Sequence, residues 1–151
     1  MEDVHDYERL IFKQVYILKR HTDKAAATHL ANLMPSDFNM TFMPYFMSIG
    51  HGGISNHNLV NKIMVTKQGV SKTVKELERL GLTYTQKSET DARSIMIFLT
   101  EKGKELHDTI CQMADDMTAE YTRLIGAKKY EQFIDTLIKI SKWHEEQEKL
   151  L

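Results

Sequence analysis

The sequence predicts a mainly α-helical protein that carries one small β-hairpin. Apolar residues recur at three- and four-residue spacing along most of the 151 residues, which is the period of an amphipathic helix. Between residues 82 and 100 this pattern changes to two short runs, LTYTQK and SIMIFLT, which are rich in the β-branched and aromatic residues of strands. The polar segment SETDAR joins the two runs, and this order predicts a hairpin with a charged tip.

Composition is that of an ordinary soluble globular protein, with 42% apolar and 27% charged residues. No run approaches the roughly 18 apolar residues of a membrane span, and the acidic start MEDVHDYERL does not resemble a secretory signal peptide. The single cysteine, Cys111, excludes an internal disulfide and fits a reducing compartment. We therefore expect one cytoplasmic domain, residues 1–151, without a membrane partner.

Charge is segregated along the chain, although the net charge is only −1. Residues 62–87 contain six basic side chains against only Glu76 and Glu78, whereas residues 1–10 and 144–149 are mostly acidic. A nearly neutral total neither supports nor excludes a nucleic-acid partner, because binding depends on the local charge.

Two helices are predicted in the first third. The first covers residues 5–33, where apolar residues recur with helical spacing. The segment MPSDFN then breaks the pattern, because the residue before a proline avoids helical backbone angles. A second helix covers about 40–50, with Asn39 or Asp37 as its N-cap, and GHGG ends it.

The next two predicted helices form a helix-turn-helix. Ser55 is the expected N-cap of a short helix with one small apolar face. The following helix carries Val70, Val74 and Leu77 on one face, and Gly81 stands where a terminating glycine is expected. The hairpin comes directly afterwards, and this order is typical of a winged helix.

Two long helices complete the prediction. Thr100 is the expected N-cap of the first, which runs to Gly126, and the second runs to about residue 149. Their apolar residues again follow the helical period.

The stretch GVSKTVKELERLGLTYTQKSETDARSIMIFLTEKGKEL, residues 69–106, resembles the MarR (multiple antibiotic resistance regulator) family of transcription factors. The shared motifs are Leu-x-x-x-Gly-Leu at 77–82, Asp-x-Arg at 91–93 and Leu-Thr-x-x-Gly at 99–103. The resemblance implies a homodimer. It assigns about 39–100 to a winged helix-turn-helix that binds DNA, and about 5–33 and 101–149 to dimerisation helices.

The second helix of the helix-turn-helix has side chains that suit contacts with bases in the major groove. Such a helix keeps one apolar face on its own domain and offers short polar and basic groups to DNA from its first turns. The side chains expected to contact DNA are Thr66, Lys67, Gln68, Ser71, Lys72 and Lys75. Gly69 either allows a close approach to DNA or marks an N-terminal turn.

The charged hairpin tip adds a second predicted DNA contact. Arg93 is long enough to reach a phosphate or the minor groove, whose negative potential attracts arginine. Lys87 adds a phosphate contact. By analogy with the family, Asp91 holds the loop and orients Arg93 instead of meeting DNA.

The resemblance further implies a small aromatic or phenolic effector bound between the dimerisation helices and the winged helix. The candidate lining residues are Tyr16, His29, Tyr45, Phe46 and Met47. Cys111 is expected to be a small buried hydrophobe. The seven histidines show no helical i, i+4 pair, and His51 and His57 are interpreted as surface residues, so we expect no metal site and no cofactor.

The sequence therefore predicts a homodimeric regulator that binds double-stranded DNA at a pseudo-palindromic operator. A ligand-responsive repressor fits best, and the chain is not expected to be an enzyme, because it lacks a nucleophile–base arrangement, a P-loop and Gly-x-Ser-x-Gly. Two alternatives stay open. One is a winged-helix module that binds an acidic protein partner, and the other is a small enzyme with its site at a dimer interface.

Overall fold

The computed structural model describes residues 5–63 and 65–151. Residues 1–4 and Met64, which the predicted domain includes, lie outside that description. The chain forms two compact units, Met1–Cys111 and Gln112–Leu151, and each is described here by itself.

Helices dominate the described residues, and the strands are short. The α-helices are α1 (Ile11–His29), α2 (Met43–Ile49), α3 (Asn56–Ile63), α4 (Lys67–Arg79), α5 (Glu101–Ile125) and α6 (Ala127–Lys149). The strands are β1 (Ile54–Ser55), β2 (Thr83–Lys87) and β3 (Ile95–Leu99). The predicted fold class, a mainly helical chain with a small β wing after a helix-turn-helix, is confirmed.

The N-terminal helix is shorter than the predicted range of 5–33. A 3₁₀ turn covers Tyr7–Arg9, and Leu10 then adopts an extended conformation, with φ −69° and ψ 123°, before α1 begins. At the other end the backbone N–H groups of Leu33 and Met34 both donate to the carbonyl of Leu30. These bonds form a turn in place of a further helical turn, directly before the proline.

The helix-turn-helix is bounded by the caps that the sequence predicts. The Ser55 hydroxyl accepts a hydrogen bond from the backbone N–H of Asn58 at 3.1 Å. Gly81, with φ 76°, follows the end of α4 in the left-handed region that favours glycine. These local signals set where the pair of helices begins and ends.

The sheet is antiparallel and has the strand order β1-β3-β2. Strands β2 and β3 pair from Thr83 with Leu99 to Lys87 with Ile95, which confirms the predicted hairpin. Strand β1 was not predicted, because two residues are too few to show an alternating pattern. It attaches the beginning of the helix-turn-helix to the wing through the pairing of Ile54 with Ile97.

The core of the first unit lies between the helix-turn-helix, the sheet and the beginning of α5. Its most deeply buried large side chains are Leu30, Phe46, Leu59, Leu77, Leu82 and Ile97. Leu106 and Ile110 add the buried face of α5. These side chains come from the C-cap of α1, from helices α2 to α5, from strand β3 and from the segment before β2, and their shared apolar centre fixes the orientation of α4 and the wing.

Thr100 joins the wing to α5 and performs the capping role that the sequence predicts. Its hydroxyl donates to the carbonyl of Gly81 at 2.6 Å and accepts from the backbone N–H of Gly103 at 3.0 Å. Its own N–H donates to the carbonyl of Leu82. One side chain therefore caps α5 and also ties that helix to the segment after α4.

The second unit contains the end of α5 and the whole of α6. The hydroxyls of Thr118 and Tyr130 are hydrogen-bonded at 3.0 Å, and the rings of Tyr121 and Tyr130 lie 6.4 Å apart. No residue of α6 is buried in the single chain. Its apolar side chains are therefore available to a partner.

Candidate nucleic-acid interface

Helix α4 is strongly amphipathic. Val70, Thr73, Val74 and Leu77 are buried on one face. The six side chains predicted to contact DNA from this helix and its cap are all exposed: Thr66, Lys67, Gln68, Ser71, Lys72 and Lys75. The sequence thus gives α4 an apolar face that holds it on the domain and a polar, basic face that it offers to solvent.

The first turn of α4 is held by its cap. The Thr66 hydroxyl accepts a hydrogen bond from the backbone N–H of Gly69 at 3.0 Å. A Cβ on Gly69 would lie 3.2 Å from that hydroxyl and 3.3 Å from the hydroxyl of Tyr45. The geometry therefore favours the second reading of Gly69, in which it belongs to a tightly packed N-terminal turn.

The basic residues of the exposed α4 face are not neutralised by the protein. Among residues 5–63 and 65–151, none of the ion pairs involves Lys67, Lys72 or Lys75. Arg79, at the other end of the helix, is different, because its guanidinium contacts Glu76 at 2.9 Å and Asp37 at 3.4 Å. The bond to Glu76 is the largest cause that raises the pKa of Arg79, and the bond to Asp37 raises it further.

The wing tip is organised around one carboxylate. Asp91 accepts a hydrogen bond from the backbone N–H of Arg93 at 2.9 Å and another from the Ser94 hydroxyl at 3.3 Å. The Ser94 N–H donates to the Asp91 carbonyl, and the Ser88 N–H donates to the Ser94 carbonyl. Because the Asp91 carboxylate accepts hydrogen bonds from within the loop, the exposed Arg93 side chain is the cationic group that the tip offers to solvent.

A cleft of about 280 Å³ brings the wing and α4 together. Its lining residues come from α3, α4 and the wing tip: Asn56, His57, Val60, Lys67, Val70, Ser71 and Arg93. Two of the predicted α4 residues and the predicted wing arginine therefore share one concave surface. Lys87 is exposed at the end of β2 and does not line this cleft.

No protein-family model matches the chain. A curated relative, the HTH-type transcriptional regulator MgrA of Staphylococcus aureus, is 21% identical in a 140-residue alignment that covers 83% of this chain and 92% of MgrA. A solved MarR protein from Peptoclostridium difficile superposes with a TM-score of 0.77 and 18% identity over 97% of this chain and 94% of that one. The chain has the fold of the MarR regulators.

Further MarR-type structures have been solved with ligands. The S. aureus MepR–DNA complex matches with a TM-score of 0.70 and 19% identity, over 89% of this chain and 98% of MepR. NadR in complex with 4-hydroxyphenylacetate matches with a TM-score of 0.65 and 17% identity, over 94% of this chain and 97% of NadR. The resemblance to the MarR family is thereby confirmed at the level of the fold.

The five residues expected to line an effector site differ in their burial. Tyr16 is exposed on α1, with the Arg20 guanidinium 5.9 Å from its ring centre, and His29 bonds the Ala25 carbonyl in the last turn. Phe46 is fully buried in the core, while Tyr45 and Met47 are half-buried beside it on α2. The cleft described above is lined by other residues, and the effector site stays a prediction.

Two residues of the cleft were missed by sequence reasoning. Asn56 and His57 open α3 and line the cleft together with Arg93. The Asn56 side-chain oxygen also accepts a hydrogen bond from the backbone N–H of Ile95 at 3.4 Å, which links α3 to the wing. The available signal was their position directly after the N-cap Ser55, at the start of the first helix of the pair.

Cys111 differs from its prediction as a buried side chain. It is exposed on α5, and its sulfur lies 3.8 Å from Nδ1 of His107, one helical turn earlier. The apolar neighbours that suggested burial, Ile110 and Met113, project from other sides of the helix. In the described part of the chain, no helix has both the length and the hydropathy of a membrane span.

Proposed function

We propose that the chain is a transcriptional regulator that binds double-stranded DNA in a sequence-specific manner. The observation that carries the proposal is the shared cleft of Arg93, Lys67 and Ser71, which combines the wing tip with the first turns of α4. A duplex would place its major groove on α4 and an adjacent phosphate or minor groove at the wing. The MepR–DNA complex supports this reading, because MepR has the same fold.

The roles of the individual side chains follow from their chemistry. Gln68 would read an adenine edge through its amide, and Lys72 would read guanine. Ser71 and Lys75 would reach bases or phosphates. The DNA sugar-phosphate backbone would be contacted by Thr66, Lys67, Lys87 and Arg93. Asp91 would act indirectly, by holding the loop that carries Arg93.

We further propose that the chain acts as a homodimer. Large apolar side chains remain exposed on both terminal segments, for example Phe12 on α1 and Trp143 on α6, which are 85% and 55% exposed. Burying such faces against a second copy would remove the apolar area from water. Residues of about 39–100 would then contact DNA, and about 5–33 and 101–149 would form the dimer.

A dimer with two-fold symmetry would present two copies of α4 and favour a pseudo-palindromic operator, with half-sites about one helical turn apart. Binding there would occlude a cytoplasmic promoter, which is the action of a repressor. A small aromatic or phenolic effector would release DNA if it favoured a different spacing of the two winged helices. The NadR complex, with its phenolic ligand, supports this class of effector.

The deciding experiment is the selection of bound duplexes from random DNA, followed by titration of the recovered site at several salt concentrations. If each subunit neutralises about three to five phosphates, the slope of log affinity against log salt should be roughly −5 to −9. Recovery of a palindrome bound by two chains would support the proposal. Failure to enrich any sequence would favour a winged-helix module that binds an acidic protein partner.

A further inference from the structure

A cluster of two histidines and one aspartate lies in the first unit, outside the α4 and wing surface. One ligand atom each of His51, His107 and Asp108 lies within 4.8 Å of the others. Nε2 of His51 is 2.5 Å from Oδ1 of Asp108, and Nδ1 of His107 is 3.7 Å from the same oxygen. The three side chains come from positions up to 57 residues apart, so their meeting depends on the tertiary fold.

The fold holds this cluster from two sides. His51 lies in the turn after α2, between Gly50 and Gly53, whose φ values of 69° and 76° allow a tight reversal. His107 is the most buried member, with 12% of its side chain exposed, and its ring lies edge-on to the fully buried Phe46 at 6.1 Å. One ligand is thus fixed by the core, while the other two face solvent and are accessible to an ion.

We propose that His51, His107 and Asp108 bind a divalent transition-metal ion of the zinc class. Imidazole nitrogen and carboxylate oxygen are ligands that zinc accepts at about 2.0–2.2 Å, and three protein ligands with one water complete a four-coordinate site. In such a site the ligand atoms stand roughly 3.4 Å apart, as follows from tetrahedral geometry at those bond lengths. The observed separations bracket this value.

Binding requires one small rearrangement. In the structure the His51 ring and the Asp108 carboxylate share a hydrogen bond, and a bound ion would take the place of that hydrogen, with neutral His51 carrying its proton on Nδ1. The two side chains are 50% and 63% exposed, so they are free to separate by about 1 Å, the difference from that tetrahedral spacing.

A surface ion pair alone accounts poorly for the arrangement. An exposed His–Asp pair contributes little to stability, and it does not account for the approach of the second imidazole. His107 stands 5.5 Å from His51, ring centre to ring centre, in an edge-on orientation. Two imidazoles that converge on one carboxylate form a donor set that suits an intermediate metal such as zinc.

The ion would connect two parts of the winged helix. His51 precedes β1 and α3 by a few residues, whereas His107 and Asp108 belong to the buried beginning of α5. A bound metal would therefore fix the turn before the helix-turn-helix against the helix that follows the wing. This inference does not depend on DNA binding, and its test uses no DNA.

The test is calorimetric titration of the whole chain with Zn²⁺ after dialysis against a chelator. All proteins carry Cys111→Ser, so that the exposed thiol cannot account for metal uptake. We expect one zinc ion per chain. His51→Ala and Asp108→Asn, which change exposed ligands, should each weaken binding at least about 100-fold, because even groups that only orient a ligand are worth 10- to 100-fold.

The matched control is His21→Ala, which removes an exposed histidine of α1 outside the cluster. It should bind zinc as tightly as the Cys111→Ser parent. Zinc should raise the midpoint of thermal unfolding of the parent and of the control, but not that of the two ligand variants. Circular dichroism shows whether each variant is folded, so that lost binding is not mistaken for lost structure.

Three results would overturn the proposal. They are the absence of zinc uptake by the folded parent, equal zinc affinity in the parent and the two ligand variants, and equal losses in His21→Ala and His51→Ala. A Co²⁺ spectrum adds an independent readout. Tetrahedral visible bands in the parent that vanish in folded Asp108→Asn would support the site, and identical spectra would count against it.

Discussion

A Cβ added to Gly103 would stand only 2.0 Å from the carbonyl oxygen of Leu82. The first turn of α5 therefore packs directly against the backbone at the entrance to the wing. The same carbonyl accepts the N–H of Thr100, whose hydroxyl caps the helix at Gly103. The Leu-Thr-x-x-Gly motif is thus explained by packing, because the threonine ties the two segments together and the glycine lets them touch.

Gly103→Ala should destabilise the chain by about 1–3 kcal/mol or more, because the added methyl meets backbone that cannot move aside without breaking the cap. Chemical denaturation measures the loss. Gly52→Ala is the control, since a Cβ there meets nothing within 4 Å. Equal stability of the two variants would contradict the packing role of Gly103.

The elements predicted well from sequence are those with strong local signals. The caps Ser55 and Thr100, and the glycine after α4, depend on chemistry within a few residues, and the structure has hydrogen bonds or backbone angles to match. Thr66 was predicted only as a DNA contact, and its role as the N-cap of α4 was missed. The exposed basic face of α4 follows from the same helical periodicity. The wing follows from the change to a strand-like pattern after Gly81.

Features that depend on distant contacts were not predicted. Strand β1 exists because two residues meet β3, more than forty positions later, and no periodicity shows in so short a segment. Cys111 was expected to be buried because of its apolar sequence neighbours, but it lies on a side of α5 that faces solvent. The His51, His107 and Asp108 cluster has no sequence motif, because its members are brought together only by the packing of the turn on α5.

Arg93→Ala should weaken binding to every DNA sequence by at least about tenfold, because it removes a charge-assisted contact that does not read bases. The salt slope should also fall by about 1 per subunit. Fluorescence anisotropy at several salt concentrations measures both quantities. Arg123→Ala, which removes another exposed arginine, from the second unit, should leave both unchanged. Unchanged affinity of the Arg93 variant at moderate salt would refute its role.

Asp91→Ala should lower DNA affinity by about tenfold although Asp91 need not touch DNA, because it releases the bonds to the Arg93 N–H and the Ser94 hydroxyl. The effect should disappear when Arg93 is already alanine, as a double-mutant cycle would measure. Glu89→Ala removes the same charge from a residue that makes no hydrogen bond in the described chain. That variant should keep or increase DNA affinity. If it lost as much affinity as Asp91→Ala, the effect of Asp91→Ala would come from the removed charge and not from the hydrogen bonds of the loop.

Gln68→Ala should relax the preference for one base pair in each half-site and leave the rest of the operator unchanged. A bidentate amide–adenine contact is worth about 1–3 kcal/mol of discrimination, and alanine cannot replace it. Competition with operators that carry single base changes measures the preference at each position. If the variant and the original chain show the same base preference at every position, Gln68 is excluded as a base-reading residue.

Leu137→Glu should convert the proposed dimer to single chains and abolish tight operator binding. Leu137 is 41% exposed on α6, in an apolar face continued by Phe133, Ile140 and Trp143. A buried, unpaired carboxylate at an interface costs several kcal/mol, more than most dimers can lose. Sedimentation measures the oligomeric state, with Gln132→Glu on the same helix as a control for the added charge. Because a single chain presents only one copy of α4, it should bind a half-site weakly, and tight operator binding by a proven monomer would rule out the two-fold arrangement.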